Sequence, residues 1–227
     1  MDLGKKLDIK PGIYASVIAV GSMLGLSLWA WPQIPEDMLV PVHWGLSGQP
    51  DGYSNKAVGL LALPAIMSVV AAIYFVRMHK DPRKDNLVES QTAILISWYG
   101  VLALMLVVHG LLVLSALGNY MPVTQIVPVG VGILCVLVGA AMGKVRSNHS
   151  FGCRTPWTLS SEESWSRTNR LCGWLMCLMG LATIASGLLD SMYLLVGIIL
   201  GGALLIVSVT FAYSYIIWKQ DQNRSSG

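Results

Sequence analysis

The sequence predicts an all-α polytopic membrane protein with six transmembrane helices and both termini cytoplasmic, and three observations lead there. Of its 227 residues 54% are hydrophobic and 12% charged, against about 25% charged in an ordinary soluble domain. Six windows reach or approach the ~20 apolar residues that cross ~30 Å of hydrocarbon. They run from about Gly12 to Trp31, Ala57 to Val76, Ala93 to Leu117, Val123 to Gly143, Leu171 to Leu189 and Met192 to Trp218. Finally, 14 of the 15 basic residues fall on alternate connections, leaving only Lys56 on the others. Basic residues stay cytoplasmic, so the loop of residues 32–56 is external and the loop of residues 144–170 is cytoplasmic. The whole chain, 1–227, reads as one membrane domain carrying these two ordered loops.

The first window follows Lys5, Lys6 and Lys10 as a signal peptide would, but it runs some 20 residues into Leu28-Trp29-Ala30-Trp31-Pro32 without a small-residue cleavage site. It is read as a retained span. The external loop is rich in Pro, Gly and Asp. Gln49-Pro50-Asp51-Gly52 is a turn signal, and Met38 to Trp44, interrupted by Pro41, is at best an edge strand. Trp44 and Tyr53 suit the outer interface. His43 and Asp51, with Glu36 and Asp37, offer nitrogen and oxygen ligands, but no recognisable metal spacing; the alternative is an ordered lid whose His43 makes a structural hydrogen bond. No metal or cofactor is expected.

Residues 78–91 read as a solvated, charged connector. In the third window His109 is the one clearly intramembrane titratable group. Such a residue is by default a candidate for proton coupling or ligand binding. The competing reading is a neutral imidazole bonded to a nearby Ser or carbonyl. Pro64 and Pro128 are candidate bends. Glycines at small-xxx-small spacing, Gly21 and Gly25, Gly139 and Gly143, Gly197 and Gly201, and the heptad-spaced Gly173, Gly180 and Gly187, mark close helix contacts. Cys135, Cys153, Cys172 and Cys177 match no zinc pattern and read mostly as small apolar residues, with Cys153 the most exposed.

The densest polar stretch is Phe151 to Arg170, FGCRTPWTLSSEESWSRTNR. Pro156 biases Thr155 toward an extended conformation, so Arg154 to Trp157 should cross the surface rather than coil. Ser160 and Glu163 have capping-box spacing at a helix start, and Glu163 and Arg167 sit four apart in the favourable acid-first order. Trp157 and Trp165 suit the headgroup level. The two motif loops, each about 25 residues long, lie one in each half of the chain. Three spans per half would invert the halves, an arrangement consistent with a 3+3 inverted repeat.

The string Phe151-Gly152-Cys153-Arg154-Thr155-Pro156-Trp157-Thr158-Leu159, with Glu162, Trp165 and Arg170, resembles the signature of the SdpI family of bacterial membrane proteins. Pro41-Val42-His43-Trp44, with Gly48, Pro50, Asp51 and Gly52, is similar to an amino-terminal domain found in the same proteins. Asn169 departs from the pattern, where His is common, so no proton-dependent role is carried to that position. The resemblance implies a plasma-membrane immunity protein that protects against a secreted, membrane-active peptide toxin. It also implies signalling, in which a small helix-turn-helix repressor is captured at the inner face. The cytoplasmic partner site would comprise Arg154, Thr155, Pro156, Trp157, Glu162, Glu163, Trp165, Asn169 and Arg170. The external loop, with His43, Trp44, Asp51 and Tyr53, would meet the ligand. The structural alternative for the cytoplasmic residues is an interfacial belt with internal salt bridges.

Two further readings compete. A small inverted-repeat transporter would use His109 and the two loops as gates. A membrane enzyme would need a base such as Glu162, but no zincin motif, nucleophile elbow or intramembrane carboxylate pair is present. No enzymatic activity is therefore expected. The net charge of +3 follows from the topology and does not indicate nucleic-acid binding.

Overall fold

The computed structural model describes residues 6–223, so Lys5 and the terminal Arg224 lie outside the described residues. Six helices are long and apolar enough to cross a membrane: α1 (Lys10–Ala30), α2 (Lys56–His79), α3 (Lys84–Ala116), α4 (Val123–Met142), α6 (Glu162–Leu188) and α7 (Met192–Gln220). A short α5 (Pro156–Ser160) precedes α6, and a hairpin of β1 (Val40–Trp44) and β2 (Pro50–Ser54) joins α1 to α2.

The first three helices pack on one another. Tyr74 of α2 stacks on Trp98 of α3 with ring centroids 4.3 Å apart, and Trp98 donates through its indole nitrogen to Ser16 of α1 at 2.9 Å. The second half is organised differently, with α6 central between α4 and α7. This difference lends no support to an inverted repeat.

The α4 and α6 contact is made by backbone. A Cβ at Gly173 would lie 2.4 Å from the Gly139 carbonyl oxygen, one at Gly180 2.6 Å from that of Gly132, and one at Gly187 2.9 Å from that of Gln125. The heptad of glycines in α6 is thus a contact stripe, since only hydrogen lets two helices approach so closely. In contrast, Gly21, Gly25, Gly197 and Gly201 would meet nothing within 4 Å.

Helix α3 has 33 residues, about 50 Å at ~1.5 Å per residue, against a hydrocarbon core of ~30 Å. It starts at Lys84, nine residues before the apolar window read from the sequence. Its first turns therefore project past the apolar layer, where the 144–161 segment meets them.

Three local expectations are corrected. Gln49 to Gly52 is not the turn: Pro50 to Gly52 lie in β2, and the chain reverses at Gly45 to Gly48, where Gly48 has φ +76. Cross-strand pairing sets Gly52 opposite His43 and Pro50 opposite Trp44, which requires an extended backbone there, and the Asp51 side chain reaches His43 from between those pairs. Pro156 does not exclude helix; it occupies the first turn of α5, where its missing N–H is unneeded. The capping box is Thr155 with Thr158, and α6 is capped by Ser161 rather than Ser160.

Replacing Gly173 or Gly180 with Leu is expected to lower stability by about 1–3 kcal/mol or more, because rigid backbone faces the new side chain. Gly197→Leu should change it by about 0.5 kcal/mol at most. Unfolding midpoints of the detergent-purified variants check the contrast.

Candidate functional site

At the end of the bundle where the basic residues gather, the 144–161 segment is held by buried side chains. Asn148, fully buried, accepts from the backbone N–H of Ser150 at 2.8 Å and Phe151 at 2.7 Å, and donates to the Arg146 carbonyl at 2.7 Å. Asn169 accepts from Cys153 N–H at 2.7 Å and donates to the Trp165 carbonyl at 3.0 Å. Trp165 donates to the Val145 carbonyl at 2.7 Å. A loop that lacks a helical or sheet ladder must satisfy its backbone in some other way, and these residues do so here.

The connector of residues 80–83 is part of this structure, which corrects its reading as solvated. Asp81, only 3% exposed, accepts from His149 N–H at 3.0 Å, from the Ser150 hydroxyl at 2.5 Å and from Arg83 N–H at 2.9 Å. Arg83 donates to Ser147 Oγ and, at 2.7 Å, to the Leu159 carbonyl. From α3, Asn86 donates to the Ser147 carbonyl at 2.6 Å. The sequence hint for these contacts was an Asp-Pro-Arg turn among charged residues, which by itself looks like ordinary surface.

The nine residues singled out at this end separate by burial into three sets. Thr155, Trp165 and Asn169 are buried and hold the loop; Trp165 packs in a cluster with Ala93, Ala141 and Val145, so it is not an interfacial ring. Trp157 is half-buried, edge-on to Phe211 and Tyr215 of α7 at 4.7 and 5.1 Å between ring centroids. Arg154, Pro156, Glu162, Glu163 and Arg170 are exposed. Arg154 reaches back to the His149 carbonyl at 2.5 Å, and Glu163 pairs with Arg167 at 2.5 Å as its spacing predicts. A polar cleft of about 450 Å³ opens beside Glu162 and Glu163, with Arg83 and Asp221 on its other side.

Cys153 is half-buried between the loop, α6 and α7. Its thiol is held below the usual range, at about 6, first by a hydrogen bond with Cys172, then by Thr210 and the nearby Arg154 charge, against an opposing effect of burial.

Inside the first three helices Pro64 leaves the Leu60 carbonyl without its helical donor. Ser27 donates to that carbonyl at 2.7 Å. His109, fully buried, lies with Nε2 2.9 Å from Ser27 Oγ and 3.0 Å from the Met23 carbonyl. A carbonyl only accepts, so Nε2 carries the proton. Nδ1 has no hydrogen-bond partner among the described residues, and a second proton there would have no acceptor. The arrangement suits a neutral ring tying α1, α2 and α3 together.

At the opposite end His43 Nδ1 and Asp51 Oδ1 are 2.5 Å apart across the hairpin, both exposed. Glu36 is bonded instead to Lys56 at 3.2 Å, and Lys56 lies over the Trp31 ring, 4.9 Å from its centroid. Among the described residues no three ligating side chains form a metal cluster. Val40 packs at Gly59 of α2, while Gly48 at the tip meets Thr124 of α4. Thr124 donates to Asp190 at 2.6 Å. The hairpin therefore spans both halves. Tyr53 is exposed and Trp44 half-buried, the latter beside an apolar cavity of about 220 Å³ between the hairpin, α3, α4 and α7.

Asn169→Ala should cost about 1–3 kcal/mol by stranding the Cys153 N–H, whereas Arg154→Ala should leave the unfolding midpoint nearly unchanged. In a variant that keeps only Cys153 and Cys172 of the four cysteines, iodoacetamide should alkylate the Cys153 thiolate with a rate that rises with pH through about 6, rather than through the ordinary ~8.5.

Residues 144–214 match the model of the SdpI/YfhL protein family, and residues 18–68 match Domain of unknown function (DUF1648). Immunity protein SdpI of Bacillus subtilis (strain 168) is 24% identical over 208 residues, covering 91% of this chain and 96% of that protein. No solved structure matches significantly. The resemblance read in the sequence is borne out: behind a DUF1648 region that holds the hairpin, this membrane chain carries an SdpI/YfhL-family region comprising the buried-side-chain loop, α5, α6 and most of α7.

Proposed function

We propose that the chain is a membrane immunity protein, a binding protein rather than an enzyme, that protects its cell from a secreted, membrane-active peptide toxin. The observation that carries this reading is the similarity to an immunity protein along nearly the full length of both chains. Both termini are cytoplasmic in this proposal: among the described residues every Lys and Arg except Lys56 lies toward the end that holds the 144–161 loop, in accord with the positive-inside rule. The hairpin then faces the toxin.

The cytoplasmic end also signals in this reading, by docking a small helix-turn-helix repressor. Supporting it is a surface of exposed Arg154, Pro156, Glu162, Glu163 and Arg170 on a scaffold rigidified by buried Asn148, Trp165 and Asn169. Charged groups displayed on a fixed backbone give orientation and selectivity to a partner.

The test is expression in a toxin-sensitive bacterium, with survival and membrane potential recorded as a family toxin peptide is added. Wild type should retain its potential, and Arg154→Ala should protect equally while failing to co-purify the repressor. Collapse of the potential despite normal insertion would refute immunity to that peptide. Equal loss of protein abundance and repressor capture in Arg154→Ala would refute the docking role.

A further inference from the structure

Resting on the reading that the hairpin end meets a peptide, the geometry points to the cavity beneath the hairpin as a socket for one apolar side chain of a cationic amphipathic peptide. Val42 and Trp44 roof it, Leu111 of α3 and Leu195 of α7 form two walls, and Val127 and Pro128 of α4 form another. Its volume is about 220 Å³. Drug-sized ligands occupy ~300 Å³ or more, whereas a cavity of about 150 Å³ with apolar walls takes a benzene ring. The space therefore fits a single Leu-, Phe- or Trp-sized group and excludes a whole ligand.

The charge at this end selects the remainder of the partner. Glu36, Asp37, Asp51 and Asp190 are exposed, while Lys56 is 4% exposed and already paired with Glu36. Asp51 bonds His43 at the cavity mouth, and Asp190 accepts from Thr124, another lining residue. Four carboxylates against one buried ammonium favour approach of a cation and disfavour an anion. An apolar socket rimmed by carboxylates is complementary to a segment that alternates Lys with Leu or an aromatic residue.

The full-length chain in phosphatidylcholine nanodiscs is titrated with a synthetic Lys/Leu amphipathic peptide in which one leucine is replaced by a photoreactive benzoylphenylalanine. Its Glu/Leu counterpart serves as the control. Saturable crosslinks to Val42, Trp44, Leu111 or Val127 are expected with the Lys/Leu peptide only. Asp51→Asn with Asp190→Asn, or a rise in salt from about 0.05 to 0.5 M, should weaken them about tenfold. Val127→Trp or Leu111→Trp, which fill the cavity, should abolish them, with the unfolding midpoint checking that each variant is folded.

Equal crosslinking by the Glu/Leu peptide, crosslinks spread along α7, or persistence in both folded Trp variants would overturn the proposal. So would a photoreactive phosphatidylcholine that labels the cavity and is not displaced by the Lys/Leu peptide, which would make it a lipid site. Protection retained in the survival assay alongside failed crosslinking would refute the socket alone; lost protection in that assay would refute the immunity reading.

Discussion

The backbone contact between α4 and α6 is the constraint on which most of the second half depends. Gly173, Gly180 and Gly187 face α4 carbonyls at separations that no larger residue permits. Helices in a bilayer gain little from burying apolar side chains against each other, because lipid is equally apolar; close van der Waals contact and interhelical polar bonds hold them together instead. With α6 fixed on α4, the segment joining them must bridge a set distance. Its polar residues then fall where α3 projects beyond the apolar layer.

That segment is irregular and polar, and it is stable because its backbone bonds are supplied from several directions. Asn148 acts from within, Asn169 from α6, Asp81 and Arg83 from the connector, and Asn86 from α3. Removing any one partner would leave others unsatisfied at a buried position, which is costlier than the bond itself is favourable. The family signature around Arg154 therefore has two physical layers. Its buried members set the shape, and its exposed members are what another molecule can touch.

The hairpin plays a comparable bridging role at the other end. It rests on Gly59 of α2 and reaches Thr124 of α4, so the region matched by the DUF1648 model roofs a cavity whose walls lie partly in the other half of the chain. A short two-stranded hairpin is marginal in isolation; here Val40 is inserted among Ala30, Ile34, Leu60 and Leu112. Between the two ends, the carbonyl freed by Pro64 is taken by Ser27 of α1, to which His109 of α3 donates in turn.

The family signature, the six spans, the Glu163 and Arg167 pair and the glycine heptad were legible in the sequence, because length, charge asymmetry and spacing along a helix are local quantities. A structural hydrogen bond of His43 was legible only as the alternative to a metal site, and its partner, Asp51, was not. What sequence could not decide was which side chains face inward. Trp165 and Asn169 look like an interfacial ring and a surface amide until α4 and the loop close over them, and Asp81 looks solvated until the loop's N–H groups turn toward it. Four glycine pairs or repeats appear equivalent in the chain, yet only those opposite another backbone make close contact. Burial and hydrogen-bond partnership are set by elements distant in sequence, so they came into view only with the tertiary structure.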